Sequence, residues 1–288
     1  MRLPAGAWDC HAHVIGDPAR FPLSPGRSYE PPRAPLDDYL ATLDRLGIER
    51  GFLVQPSVYG FDNRCMLAAL ERADGRLLGV AVPAPDTEHR ELEALHRQGV
   101  RAVRCNLLNP GGLDIATALL WQPALRALGW HIVLHIAVQE VVDARALVAR
   151  FDVPVVIDHM GRPAPGRTDP SAPGLQTLVD LVREGACYVK LSAPYRMSSA
   201  SPPWRDVAPL ARALVDARVD ACLWGSDWPH TDTDEPVRTD DLLDALDSWC
   251  PDSNVLRRIA LAADARLLAP LAHRDPRFTR VADPALEQ

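Results

Sequence analysis

The stretch "DTEHRELEALHRQGVRAVRCN", Asp86 to Asn106, contains the repeating unit of this chain. Its first part reads as an amphipathic helix that stops at Gly99. "VRAVRCN" then runs as a short apolar strand ending on Arg104 and Asn106. The same alternation recurs throughout. Strand candidates are "AWDCHAHV", "GFLVQPS", "LLGVAVP", "VRAVRCN", "HIVLHIA", "PVVIDHM", "CYVKLSA" and "ACLWGSD". Helical patterns such as "PLDDYLATLDRLG", "DNRCMLAALERADG", "WQPALRALG" and "SAPGLQTLVDLVREG" lie between them, with stops at Gly47, Gly75, Gly129 and Gly185. Eight strand-then-helix units predict an α/β fold: a parallel sheet closed into a (β/α)8 TIM barrel, one domain over residues 1–288, with 270–288 as a C-terminal extension. An open doubly wound sheet is the runner-up. No GxGxxG or P-loop follows any strand, so nucleotide binding has no support.

Composition narrows the function classes. The chain has 288 residues, 47% of them apolar, which is ample for a buried core. A formal charge of −7, with Lys190 the only lysine, argues against nucleic acid and against a polybasic membrane patch. No apolar run has the length of a signal or transmembrane segment. Cysteines 10, 65, 105, 187, 222 and 250 form neither a close pair nor a CxxC, which reads as reduced thiols in a cytoplasmic protein. A homo-oligomer is left open.

Strands of a parallel barrel are buried on both faces, so a polar residue near a strand end needs a reason. His11 and His13 end the first strand, Arg104 and Asn106 the fourth, His135 the fifth, His159 the sixth, Lys190 and Ser192 the seventh, and Asp227 the eighth. In a (β/α)8 barrel that end is where active sites form. Strict alternation along "DCHAHV" sends Asp9, His11 and His13 to one face, with Cys10 and Ala12 on the other. Converging imidazoles can hold a common metal or a polarised oxygen. Pro-, Gly- and Ser-rich connections at 16–35, 160–174 and 193–204 follow strands and rise over the same face. His89, His96 and His131 fall outside this end.

The motifs "DCHAHV", "SYEPP", "QPSVYGFDN", "GVRAVRCN", "DHMGRP", "VKLSAPYR" and "LWGSDWPH" run in order from Asp9 to His230. In them the chain resembles the amidohydrolase superfamily, amidohydrolase family 2, in the branch of lactonases similar to 2-pyrone-4,6-dicarboxylate hydrolase. The resemblance implies hydrolysis of a small acidic lactone of pyrone-dicarboxylate, muconolactone or sugar-acid type. By matched position it makes Asp227 the base that activates water, with His11, His13 and His159 polarising the carbonyl. Tyr29, Ser57, Arg104 and Arg196 would hold the substrate, and His135 would line its pocket.

Two departures from that branch matter. The branch is expected to work without metal and to carry tyrosine where this chain has His135. Here His11, His13, His135 and Asp227 complete the ligand set of mononuclear metal amidohydrolases, so one divalent ion, zinc first, and no cofactor at all both stand open. Asn109 sits where a second arginine is expected, so one carboxylate clamp is missing. The alternatives are a metal-dependent decarboxylase of the aminocarboxymuconate semialdehyde type and a noncatalytic small-molecule-binding barrel. The roles of Lys190 and His230 stay open.

Overall fold

The computed structural model describes residues 2–233, 235–263 and 267. The expected extension at 270–288 lies outside them. Eight short strands follow in order: β1 (Trp8–Ala12), β2 (Arg50–Val54), β3 (Leu77–Ala81), β4 (Val100–Asn106), β5 (His131–His135), β6 (Val155–Ile157), β7 (Tyr188–Leu191) and β8 (Cys222–Trp224). All neighbours pair in parallel and in chain order. A parallel bridge between Ala12 and Trp228 brings the last strand back to the first, so the expected (β/α)8 barrel is what forms.

Helices fill the connections and cover the barrel. In Leu36–Leu46 the buried positions Leu36, Tyr39, Leu43 and Leu46 recur at helical spacing, and Gly47 ends the helix at φ 75°. Gly129 and Gly185 do the same, at φ 66° and 75°. Gly75 and Gly99 lie past the last helical residue, in the turns that lead into β3 and β4.

Inside the barrel, Trp8, Cys10, Phe52, Val54, Leu78, Val80, Ala102, Val133, Val156 and Leu223 make one apolar cluster. The polar strand ends stack beyond it.

The alternation expected in "DCHAHV" fails at one point. Asp9 pairs with Gly51 but Ala12 with Leu53, so β1 spends three residues where β2 spends two. This bulge lets Cys10 and His11 both face inward. Cys10 joins the inner cluster, and the His11 ring meets His13 and His159. Asp9 is left outside with Tyr39, from the covering helix Leu36–Leu46, whose hydroxyl donates to it at 3.0 Å.

The seam between β1 and β8 is tight. His11 carbonyl accepts from Asp227 N at 2.8 Å, and Trp228 carbonyl accepts from His13 N at 2.8 Å. Asp9 locks the same corner, accepting from His11 N at 3.1 Å, Ser226 N at 2.8 Å and Ser226 Oγ at 2.5 Å. Gly225 permits the approach, because a Cβ there would stand 2.7 Å from His11 Cβ and 2.9 Å from His11 N. Gly225→Ala is therefore expected to destabilise the fold by about 1–3 kcal/mol, as overpacking does in tight interiors. A urea midpoint equal to wild type would show that the seam has slack.

Candidate active site

Parallel strands bring their carboxyl ends to one rim, and there the chain gathers its buried polar side chains. His11, His13, Arg104, Asn106, His135, Asp158, His159, Lys190, Ser192 and Asp227 are all buried. His13, Arg104, Asn106, His135, His159 and Asp227 line a cleft of about 340 Å³, counted to its open mouth, together with Tyr29, Ser57, Asn109, Arg196 and Thr231. Every residue proposed for the site from sequence thus lies on this cleft except His11, which sits directly beneath it against His13 and His159.

The hydrogen bonds define what each group offers. His13 Nδ1 lies 2.8 Å from the Val54 carbonyl, which only accepts, so the ring donates there and turns Nε2 to Asp227. His11 Nδ1 lies 3.2 Å from both Asp158 Oδ1 and the Lys190 ammonium, so the ring proton sits on Nδ1 if it donates to the carboxylate and on Nε2 if Nδ1 accepts from the lysine. Both Nε2 atoms stand 3.5 Å from Asp227 Oδ1, beyond a normal hydrogen bond. Among the described residues, His11 Nε2 and Asp227 Oδ1 have no hydrogen-bond partner although both are buried. His11 Nε2, His13 Nε2 and Asp227 Oδ1 therefore face one another across a small gap.

The other oxygen of Asp227 is fully engaged. Oδ2 accepts from Tyr195 Oη at 2.6 Å and from Arg196 Nε at 3.1 Å. Burial alone would push this carboxyl up, but the Arg196 guanidinium in contact with it outweighs burial and holds it well below the usual range. Burial also keeps His11, His135 and His159 neutral, lowering His159 to about 3.

Beneath the histidines lies a second buried carboxylate, Asp158. Its Oδ2 accepts from Arg104 Nε at 3.0 Å and pairs with Nη2 at 2.9 Å, while Lys190 Nζ stands 3.0 Å from Oδ1. Burial raises its pKa, but Lys190, His11 and Arg104 win and leave it well below the ordinary value. Lys190 Nζ also lies 3.2 Å from His11 Nδ1, so it touches both Asp158 and the His11 ring. Arg104 is half committed to an internal partner, with its remaining N–H groups toward the cleft.

Arg196 is committed as well. Besides Asp227 it donates to the Thr231 carbonyl at 2.7 Å.

His135 stands apart from the group of His11, His13 and Asp227. Among the described residues, the sets close enough to share an ion are His11, His13 and Asp227, and His11, Asp158 and His159. The expected ligand set of His11, His13, His135 and Asp227 is therefore not assembled as a whole, because His159 packs between His11 and His135 with ring centroids at 4.6 and 5.2 Å. Asn106 Oδ1 accepts from the backbone of Leu108 and Asn109, at 3.1 Å each, and from His135 Nδ1 at 3.1 Å. His135 Nε2 is consequently an acceptor, buried and unpartnered. Asn109, in place of the missing arginine, is a neutral amide bonded to Asn106 and Ser28.

Tyr29, Ser57 and Thr231 line the cleft together, so two loops and the turn after β2 meet there. His230 is not on the cleft; its Nε2 lies 3.1 Å from Thr239 Oγ1 and its ring supports Tyr195.

Sequence reading missed Asp158 and Tyr195. Both stand beside a residue it picked, His159 and Arg196. The available signal for Asp158 was its place: a carboxylate ending a buried parallel strand needs a cation, and Lys190 and Arg104 end neighbouring strands. Tyr195 sits in a turn, where no periodicity gives a side chain its direction.

A (β/α)8 barrel with histidines from the first, fifth and sixth strands and an aspartate after the eighth, all on the carboxyl rim, defines a hydrolase-type barrel site. The model of the amidohydrolase family matches residues 8–269, and the chain belongs to that family. It is 39% identical to the 4-sulfomuconolactone hydrolase of Rhizobium radiobacter, over 92% of this chain and 90% of that one. It is 32% identical to the 2-pyrone-4,6-dicarboxylate hydrolase of Comamonas testosteroni, over 94% and 92%. A solved structure from Pseudomonas putida, named for 2-pyrone-4,6-dicarboxylic acid hydrolysis, superposes with a TM-score of 0.77 at 34% identity, covering 92% of this chain and 98% of its own.

Asp158 yields a stability prediction. Asp158→Asn would leave Lys190 and Arg104 buried against a neutral amide, a loss of about 3–5 kcal/mol in urea unfolding at neutral pH. Because the folded pKa is depressed, the stabilisation is present above the unfolded carboxyl value of about 4 and is lost as pH falls below it. Wild type and variant should therefore converge on acidification. A gap that stays constant with pH would assign the loss to packing alone.

Proposed function

We propose that this chain opens the lactone ring of a small acidic metabolite, using Asp227 to take a proton from the attacking water. The observation that carries the reading is the bare Asp227 Oδ1, buried and facing His11 Nε2 and His13 Nε2, while Oδ2 is held by Tyr195 and Arg196. A carboxylate so arranged has one oxygen free to accept. In the step, the water oxygen bonds to the lactone carbonyl carbon as its proton passes to Oδ1. The ring C–O bond then breaks, and the departing oxygen recovers that proton, giving an acid and a hydroxyl group.

The arginines support an acidic substrate. Lys190 and Arg104 pair with Asp158, and Arg196 pairs with Asp227 and, at 3.8 Å, with Asp232. The unengaged N–H groups of Arg104 and Arg196 are the natural clamp for a carboxylate or sulfonate. Relatives that act on pyrone-dicarboxylate and sulfomuconolactone support the same class. Asn109 favours a substrate with one fewer anionic group than a dicarboxylate on that side, or one with a polar group an amide can bind.

His11 Nε2, His13 Nε2 and Asp227 Oδ1 lie close enough to share a divalent ion, and two imidazoles with a carboxylate suit zinc; such an ion would engage Oδ1, so it and the bare-oxygen base are alternative uses of that atom. Bound there, zinc would polarise the carbonyl as a Lewis acid and bring the pKa of water toward ~7. His159, bonded through Nδ1 to Ser192 Oγ at 2.8 Å, is placed to meet the carbonyl or the water. Six free cysteines, five of them buried, fit a reducing compartment, and we place the protein in the cytoplasm. No helix among the described residues is long and apolar enough to cross a membrane.

The test is a lactone panel including 2-pyrone-4,6-dicarboxylate and 4-sulfomuconolactone, followed by proton release. Asp227→Asn should lower turnover by at least ~100-fold with folding intact. Carbon dioxide release without ring opening would make the decarboxylase reading correct instead. Metal analysis of purified variants checks the ligand assignment: His13→Ala should lose bound metal, whereas His135→Tyr should keep it. Loss of metal from His135→Tyr would restore the four-residue ligand set.

A further inference from the structure

We infer that Tyr195 is a positioning residue for the reaction: its hydroxyl fixes Asp227 through Oδ2 and so presents Oδ1 as the single reacting oxygen. The inference rests on the lactone-hydrolase reading with Asp227 as base. Tyr195 Oη donates to Oδ2 at 2.6 Å, the shortest of the contacts around that carboxylate. Arg196 Nε donates to the same atom from the next residue, so two adjacent side chains close one oxygen and leave the other bare.

The surroundings allow the phenol little choice. Its ring lies 6.3 Å from Trp204 and 6.0 Å from His230, the latter edge-on, and the Arg196 guanidinium stands 5.1 Å over its face. His230 is itself tied to Thr239. The turn that carries Tyr195 begins at Ala193, a buried non-glycine residue at φ 50° in the left-handed region. Such a conformation is held only where surrounding structure dictates it. Tyr195 does not line the cleft, so it acts on substrate only through Asp227.

A carboxylate without this contact can turn about its terminal bond and offer either oxygen. Fewer turnovers would then begin from the productive orientation, with substrate binding unchanged.

Tyr195→Phe keeps the ring and removes the hydroxyl, so its thermal midpoint should stay within about 5 °C of wild type. Its kcat should fall about 10- to 100-fold, the equivalent of one hydrogen bond to a charged group, with KM changed less than about threefold. In an Asp227→Asn background the same substitution should change kcat less than about threefold, because the group it acts through is gone. Equal losses in both backgrounds, or a loss carried by KM, would overturn the inference. A crystal structure of Tyr195→Phe reads it without substrate: a reoriented Asp227 carboxylate supports it, and an unmoved one overturns it. Should wild type open none of the lactones, the functional reading fails on its own and the crystal structure still decides the role of Tyr195.

Discussion

Two backbone hydrogen bonds, from Asp227 N to the His11 carbonyl and from His13 N to the Trp228 carbonyl, hold the barrel closed at the point where its chemistry lies. The closure and the site are one constraint. A parallel barrel must join its last strand to its first, and this chain does so with the same residues that present His11, His13 and Asp227. Asp9 reinforces the corner from outside, taking donors from both strands and from the covering helix. Burial pushes its pKa up to about 6 although each of these bonds lowers it, which shows how dry the corner is. The facing atoms of His11, His13 and Asp227 therefore owe their spacing to the closure of the barrel itself.

The same dryness decides how charge is arranged. Each of the two carboxylates under the cleft has a cation in contact: Asp158 has Lys190 and Arg104, and Asp227 has Arg196. An unpaired buried charge costs several kcal/mol, so these pairs are conditions for having a polar rim at all. Each guanidinium has five N–H groups in a fixed fork, enough to hold an internal carboxylate with two nitrogens, as Arg104 does, or a carboxylate and a backbone carbonyl together, as Arg196 does.

Much of this was legible in the sequence because the parallel barrel imposes a simple rule: strands read apolar, and polar residues at their carboxyl ends stand out. His135, His159, Lys190 and Asp227 all obey it. The rule fails where the backbone departs from regularity. A period of two cannot show that β1 carries an extra residue, so Asp9 looked like a partner of His11 and His13 when the bulge turns it to the outer face. Spacing along the chain also says nothing about which histidines crowd together across the barrel. That His159 separates His135 from His11 follows from ring packing between strands, and the reach of Tyr195 to Asp227 follows from a three-residue turn.

That turn belongs to a wider pattern. The residue just past β7, Ala193, has positive φ, as do His159 beyond β6 and Asp227 beyond β8, and none of them is glycine. Each such residue carries roughly 1–2 kcal/mol of backbone strain that a surface loop would relax. Here the packed strands beneath them over-determine the geometry, so the strain persists and the side chains arrive already aimed. The groups around the mouth are built differently. Tyr29, Ser57, Asn109 and Thr231 come from connections beyond the strands, where a substitution does not disturb the seam or the buried ion pairs. The cleft thus has a rigid floor of strand ends and a rim of loop residues, and the loops are the part that can vary between relatives of one fold without disturbing the closure.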